Sequence, residues 1–155
     1  MSKVFFMRFS ITSIIVCGLL LAMFSQSLQA FSAKEIQGKW QAVSMTMSGK
    51  SLDTDIYELE MLIENQKMKL TYIQDDFAES RTSKLELDDS SDPWSFVLKP
   101  SSSEKKSSWI YGILKIKGKK LHIATSQPGE GRAPEDFKST AQNKADYMVF
   151  ERFKD

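Results

Sequence analysis

Beyond Gly38, apolar side chains recur at every second position, and turn residues interrupt the recurrence at short intervals. A period of two puts successive side chains on opposite faces of a strand. The clearest instance is 57–64, where Tyr57, Leu59, Met61 and Ile63 share one face and Glu58, Glu60 and Glu64 the other. After an Asn65-Gln66 turn, Met68, Leu70 and Tyr72 alternate with Lys67, Lys69 and Thr71, which predicts a hairpin. The same pattern predicts strands over 38–47, 81–87, 94–99, 109–116, 120–125 and 146–153, eight in all. Leu114, Ile116, Leu121 and Ile123 then share an inner face. Polar loops fill 88–93, 100–108 and 126–145. Ser32 and Glu35 have capping-box spacing, which predicts one helical turn before the first strand. The chain therefore reads as all-β. A closed eight-stranded antiparallel barrel leaves no edge to protect; an open sandwich of the same strands is the alternative.

The first 30 residues follow a different rule. Lys3 and Arg8 precede an apolar run of about 14 residues, Ile11 to Phe24, and a small polar exit ends at Ala30. That is the layout of an export signal cleaved after Ala30, or a few residues earlier at Ser27. An uncleaved anchor fits less well, because no charged stop-transfer flank follows. Residues 1–30 are read as a signal peptide and 31–155 as one domain, placed in the periplasm or outside the cell. Cys17, the one cysteine, leaves with the signal, so the mature chain has no disulfide and no thiol nucleophile. Losing Lys3 and Arg8 takes the 21 basic residues to 19 against 20 acidic ones, a net charge of −1. That balance argues against general binding to nucleic acid or an anionic membrane.

Four stretches, taken in order, resemble one family. They are Ile36-Gln37-Gly38-Lys39-Trp40, then Tyr111-Gly112-Ile113-Leu114 with the Gly118 turn, then the Pro128-Gly129 loop with Arg132, Pro134 and Phe137, and finally Val149-Phe150-Glu151-Arg152. Together they resemble the small exported lipocalin-like domains, of uncharacterised function, that are abundant in planctomycete-type bacteria. The chain departs from them in a proline-poorer late loop and in Ala124, where a cysteine is common. The resemblance implies a lipocalin-like (calycin) barrel closed at its bottom by Gly38, Trp40 and Arg152. It implies no reaction. A guanidinium over an indole face gains cation–π attraction and shields the ring from water.

The inner faces supply a candidate ligand-binding lumen: Tyr57, Leu59, Met61, Met68, Leu70, Tyr72, Trp94, Phe96, Leu114 and Ile116. Eight-stranded barrels are either filled by side chains or hold one small ligand, and both readings stand at this point. The late loop is the candidate partner surface, through Pro128, Gly129, Arg132, Pro134 and Phe137. His122, the one histidine, alternates outward beside Lys120 and reads as exposed and inert. Asp88, Ser90 and Asp92 only faintly echo a calcium loop, since Pro93 and Lys99 stand where glycine and glutamate are needed. Glu58 and Glu60 read as hydrated carboxylates of an outer face. Ser95 and Ser126 lack a nucleophile elbow. Lys115, Lys117, Lys119 and Lys120 form a basic hairpin tip without the interleaved aromatics that nucleic acid requires.

These readings predict a monomeric extracytoplasmic binding module, without enzyme activity, metal or cofactor. Its expected ligand is a small apolar molecule in the barrel. The alternative is an interaction or protease-inhibitor-like module that meets an envelope or secreted protein with the loops at the barrel mouth.

Overall fold

Strand pairing closes on itself. The computed structural model describes residues 33–153, all within one compact unit, Ser32–Asp155. The strands are β1 Gly38–Met47, β2 Lys50–Leu52, β3 Glu58–Glu64, β4 Lys67–Gln74, β5 Phe77–Asp88, β6 Trp94–Pro100, β7 Ile110–Lys117, β8 Lys120–Thr125 and β9 Asp146–Arg152. Each of β3 to β8 pairs antiparallel with its successor, and β1 pairs with both β3 and β9. The result is a closed eight-stranded antiparallel barrel. The ninth strand, β2, folds back on the far half of β1, with Met45 opposite Leu52. The expected signal segment and Ser32 of the capping box lie outside the described residues.

Closure depends on β1, whose first half pairs with β3 and whose second half pairs with β2. Its ladder to β9 slips between Ala42 and Ser44. The extra residue, Val43, is left exposed at 39%. Such a bulge bends and twists a strand, which lets β1 carry the wall round from β3 to β9.

The core is the inside of the barrel. Trp40, Met45, Leu59, Met61, Ile63, Met68, Leu85, Phe96, Leu98, Leu114, Leu121, Ile123 and Phe150 are each at most 3% exposed and form one cluster. All stand at the alternate positions that the strand period sends inward, Met45 after the Val43 bulge has shifted the phase of β1. Gly112 lies directly opposite Phe96. A Cβ built on Gly112 would come within 2.3 Å of Phe96 Cζ and 2.8 Å of the Ala124 carbonyl oxygen. The glycine thus leaves room for the aromatic ring to lie across the barrel.

Three elements differ from expectation. The sequence predicted eight strands, but β2 adds a ninth; three residues, Lys-Ser-Leu, are too few to register a period. The fourth predicted strand, 81–87, is instead the twelve-residue β5. Its first half carries Glu79 and Arg81 on the inner-facing positions, so hydrophobic alternation does not reveal it. The expected helical turn is a hydrogen-bonded turn over 33–36, held by Gln37 N–H to the Lys34 carbonyl at 3.3 Å. Among the described residues the one short helix is a 3₁₀ turn at Lys106–Ser108, and no helix is long and apolar enough to cross a membrane.

Candidate functional site

The two ends of the barrel are built differently. At the end where β1 begins, Trp40 is 2% exposed and donates its indole N–H to the Ile36 carbonyl at 2.9 Å. Arg152 lies directly opposite on β9 and sets its guanidinium carbon 4.3 Å from the Trp40 ring centre. The same guanidinium donates to the backbone carbonyls of Gln37 and Glu35. Gly38, at φ +108°, gives it access: a Cβ there would sit 2.8 Å from Nη1. Trp40, Arg152 and the 33–37 turn stopper this end.

The candidate lumen residues divide by depth. Leu59, Met61, Met68, Phe96 and Leu114 are core residues without free surface, whereas Leu70, Tyr72, Trp94 and Ile116 are half-buried and Tyr57 is exposed. The lower barrel is therefore occupied by its own side chains. Two depressions, of about 880 and 400 Å³, adjoin the N-terminal turn and share Gln37, Asn65, Gln66 and Lys84. Most of the residues around them are polar or charged, and Ile36, Leu85 and Leu87 also line the smaller one.

The opposite end is the mouth. Here the first half of β5 runs on beyond β6, which it meets only from Ser83 onward, while β4 beside it is paired with β3 as far as Ile73. Cross-strand register puts Leu59, Tyr72 and Glu79 in one row and Leu70 beside Arg81, all facing the barrel axis. Arg81 Nε and Glu79 Oε1 form an exposed ion pair at 2.9 Å. Burial pushes the Tyr72 phenol above its ordinary value; the Asp146 and Glu79 carboxylates push it further, and Arg81 pulls it back. Asp146, at the start of β9, is half-buried. Burial raises its carboxyl pKa, while the Ser48 N–H at 3.1 Å and the Gln127 amide at 3.4 Å oppose the rise. Of the four exposed large apolar side chains among the described residues, three belong to this end: Ile56 at 52%, Tyr57 at 38% and Phe77 at 65%.

The late loop does not hang free. Gly129 N–H bonds the Trp109 carbonyl at 3.1 Å, and Ser139 Oγ accepts from Gly49 N–H at 2.8 Å. Phe137 lies on the outside of the barrel, 6.5 Å from the His122 ring centre and 6.1 Å from that of Tyr147. Lys115 Nζ covers its other contact face at 4.3 Å. Arg132 and Pro134 line a polar depression within the loop, of about 570 Å³, and Pro128 is exposed.

His122 does face outward, but it is neither exposed nor isolated. Its Nδ1 is 2.7 Å from the Tyr147 hydroxyl, and the two rings stack. Burial lowers the imidazole pKa, and Lys115, Lys117 and Lys120 lower it further. Alternation gave the direction of His122 correctly; it could not show that a loop residue fifteen positions on covers it. Ser126 is 4% exposed, and its hydroxyl bonds the backbone of Tyr111. Asp88 accepts from Ser90 N–H and Oγ in a solvated turn. Among the described residues no three His, Cys, Asp or Glu side chains are placed to hold a metal ion.

Compared with protein-family models, curated proteins and solved structures, the chain matches none.

Proposed function

We propose that the protein is an exported, lipocalin-like binding module that meets a protein partner across the barrel mouth. One observation carries the reading. The apolar side chains left in water gather at the mouth, at Ile56, Tyr57 and Phe77, above a barrel packed with its own side chains. Exposed apolar groups rimmed by charge mark interaction surfaces, and aromatic residues dominate the energetics of such surfaces. A small apolar ligand in the barrel, the other reading, would have to displace Phe96 from its fit over Gly112 or rest only on Leu70, Tyr72 and the rim.

The test is site-specific photo-cross-linking in the producing host. A benzophenone side chain at position 77 is expected to give one discrete adduct. The same group at position 43, exposed but away from the mouth, is expected to give none. Equal labelling at both positions, or none at 77, ends the proposal. Native mass spectrometry of the host-purified protein tests the other reading, because a bound small molecule would appear as a fixed mass increment.

A further inference from the structure

We infer that the mouth takes up its partner as an added strand on the open edge of β5. This rests on the reading of the mouth as an interaction surface and specifies how the surface works. The backbone carries the argument. Leu85 N–H bonds the Gln66 carbonyl at 2.7 Å, so the odd-numbered residues of β5 turn their N–H and C=O groups toward β4. Ser101 N–H bonds the Thr82 carbonyl at 3.0 Å, so the even-numbered ones turn the other way. β6 pairs with β5 only as far as Ser83. The N–H and C=O groups of Ala78 and Ser80 therefore point out of the sheet edge, with no backbone partner among the described residues.

Edges left open in this way are ordinarily protected by proline, lysine, inward-pointing charges, a bulge or a covering loop; of the side-chain devices residues 77–82 carry only the inward charges Glu79 and Arg81, which pair with each other. Residues 77–82 read Phe-Ala-Glu-Ser-Arg-Thr, and their ladder to β4 runs without a register shift. The face toward the barrel axis offers Phe77, Glu79 and Arg81. Ala78 and Ser80, on the outer face, are too small to obstruct a neighbour. Strand addition to such an edge draws affinity from main-chain hydrogen bonds and specificity from alternate side chains.

The occupant follows from geometry and charge. A second copy of the chain fits poorly in either symmetric register that pairs both Ala78 and Ser80 with residues of its own β5. A two-fold axis at Ser80 would send Ala78 of the second copy into the slot beside Thr82 that Ser101 already fills. An axis at Glu79 avoids Ser101 but sets Glu79 against Glu79 of the second copy, and like charges directly opposite destabilise a sheet. The complementary occupant is an extended segment of another protein, antiparallel to β5. It carries an acidic residue opposite Arg81, a basic one opposite Glu79 and an apolar one opposite Phe77. The existing Arg81–Glu79 pair is solvent-exposed, so exchanging it for cross-strand pairs costs little.

The test titrates the synthetic peptide Asp-Thr-Lys-Thr-Val-Thr into ¹⁵N-labelled protein and follows amide hydrogen exchange. At saturation the Ala78 and Ser80 amides are expected to slow by about tenfold or more. S80P removes an edge-facing N–H and leaves the ladder bonds to β4 intact, so its spectrum stays folded and the peptide protection disappears. Independently, E79K is expected to lose the lysine peptide and gain the version with glutamate in its place. Unprotected Ala78 and Ser80 amides, or protection indifferent to both substitutions, overturn strand addition. Shifts at Ile56, Tyr57 and Phe77 that survive S80P also overturn it, yet leave the mouth as the binding surface. The cross-link at position 77 decides that broader reading on its own.

Discussion

Replacing Trp40 with alanine is the sharpest test of how the barrel is held shut. The side chain is 2% exposed, donates one buried hydrogen bond and lies under the Arg152 guanidinium. Large-to-small replacement of a buried tryptophan costs about 3–5 kcal/mol through lost transfer energy and the cavity left behind. For a domain of this size that lowers the melting temperature by roughly 10–20 °C. W40F separates the contributions: it keeps an aromatic face under Arg152 but leaves the Ile36 carbonyl without its donor, at a cost of about 1–3 kcal/mol. Urea unfolding followed by far-ultraviolet circular dichroism reads both. A double-mutant cycle with R152A should then show coupling of about 0.5–2 kcal/mol, the range for a guanidinium over an indole. Loss below about 1 kcal/mol for W40A, or strict additivity with R152A, would refute the stopper.

Two further expectations concern the walls. Gly112→Ala usually favours a strand, but here the new methyl meets Phe96 and the Ala124 carbonyl, so a loss of about 1–3 kcal/mol is expected. Much of that loss should be recovered when Phe96→Leu is added, and additive urea midpoints would show that the two sites do not share space. For His122, burial and the three lysines hold the folded-state imidazole below its ordinary 6.5. The unfolded chain therefore takes up the proton first as pH falls. Stability is whole above about pH 6.5 and declines as pH drops through that value toward the folded one. Urea midpoints across this window should fall less steeply for His122→Gln, and equal slopes would remove His122 from the account.

What the sequence made legible was burial, not reach. The β3–β4 hairpin could be read because Leu59, Met61 and Ile63 go in while Glu58, Glu60 and Glu64 stay out. Trp40 and Arg152 could be paired in advance only through the resemblance to lipocalin-like domains, since no period in the chain links two residues so far apart. The first half of β5 could not be read, since that stretch runs past the end of β6 and its inward positions hold an ion pair instead of apolar groups. The cover over His122 was hidden for another reason. Phe137 belongs to an irregular loop, and no period links a loop residue to the strand on which it rests. The mouth therefore became visible only in three dimensions, although Phe77 and Tyr57 stand plainly in the chain.

The open edge also ties stability to binding. Beyond the end of β6, the first half of β5 is held on one side only, by its ladder to β4, by the Thr71–Ser80 hydroxyl contact at 2.9 Å and by an exposed ion pair. An edge strand paired on one side leaves half of its backbone groups open to water, whereas β4 beside it is paired with β3 as far as Ile73. An added strand would pair that open side, so the segment that recognises the partner is also the one that gains most order from it. Before binding, the Ala78 and Ser80 amides should exchange nearly as fast as an unfolded chain, while the Glu79 and Arg81 amides, turned toward β4, are protected. That odd–even contrast exists only if the edge is open and the hairpin intact, and slow exchange at all four positions would mean that the edge is already covered.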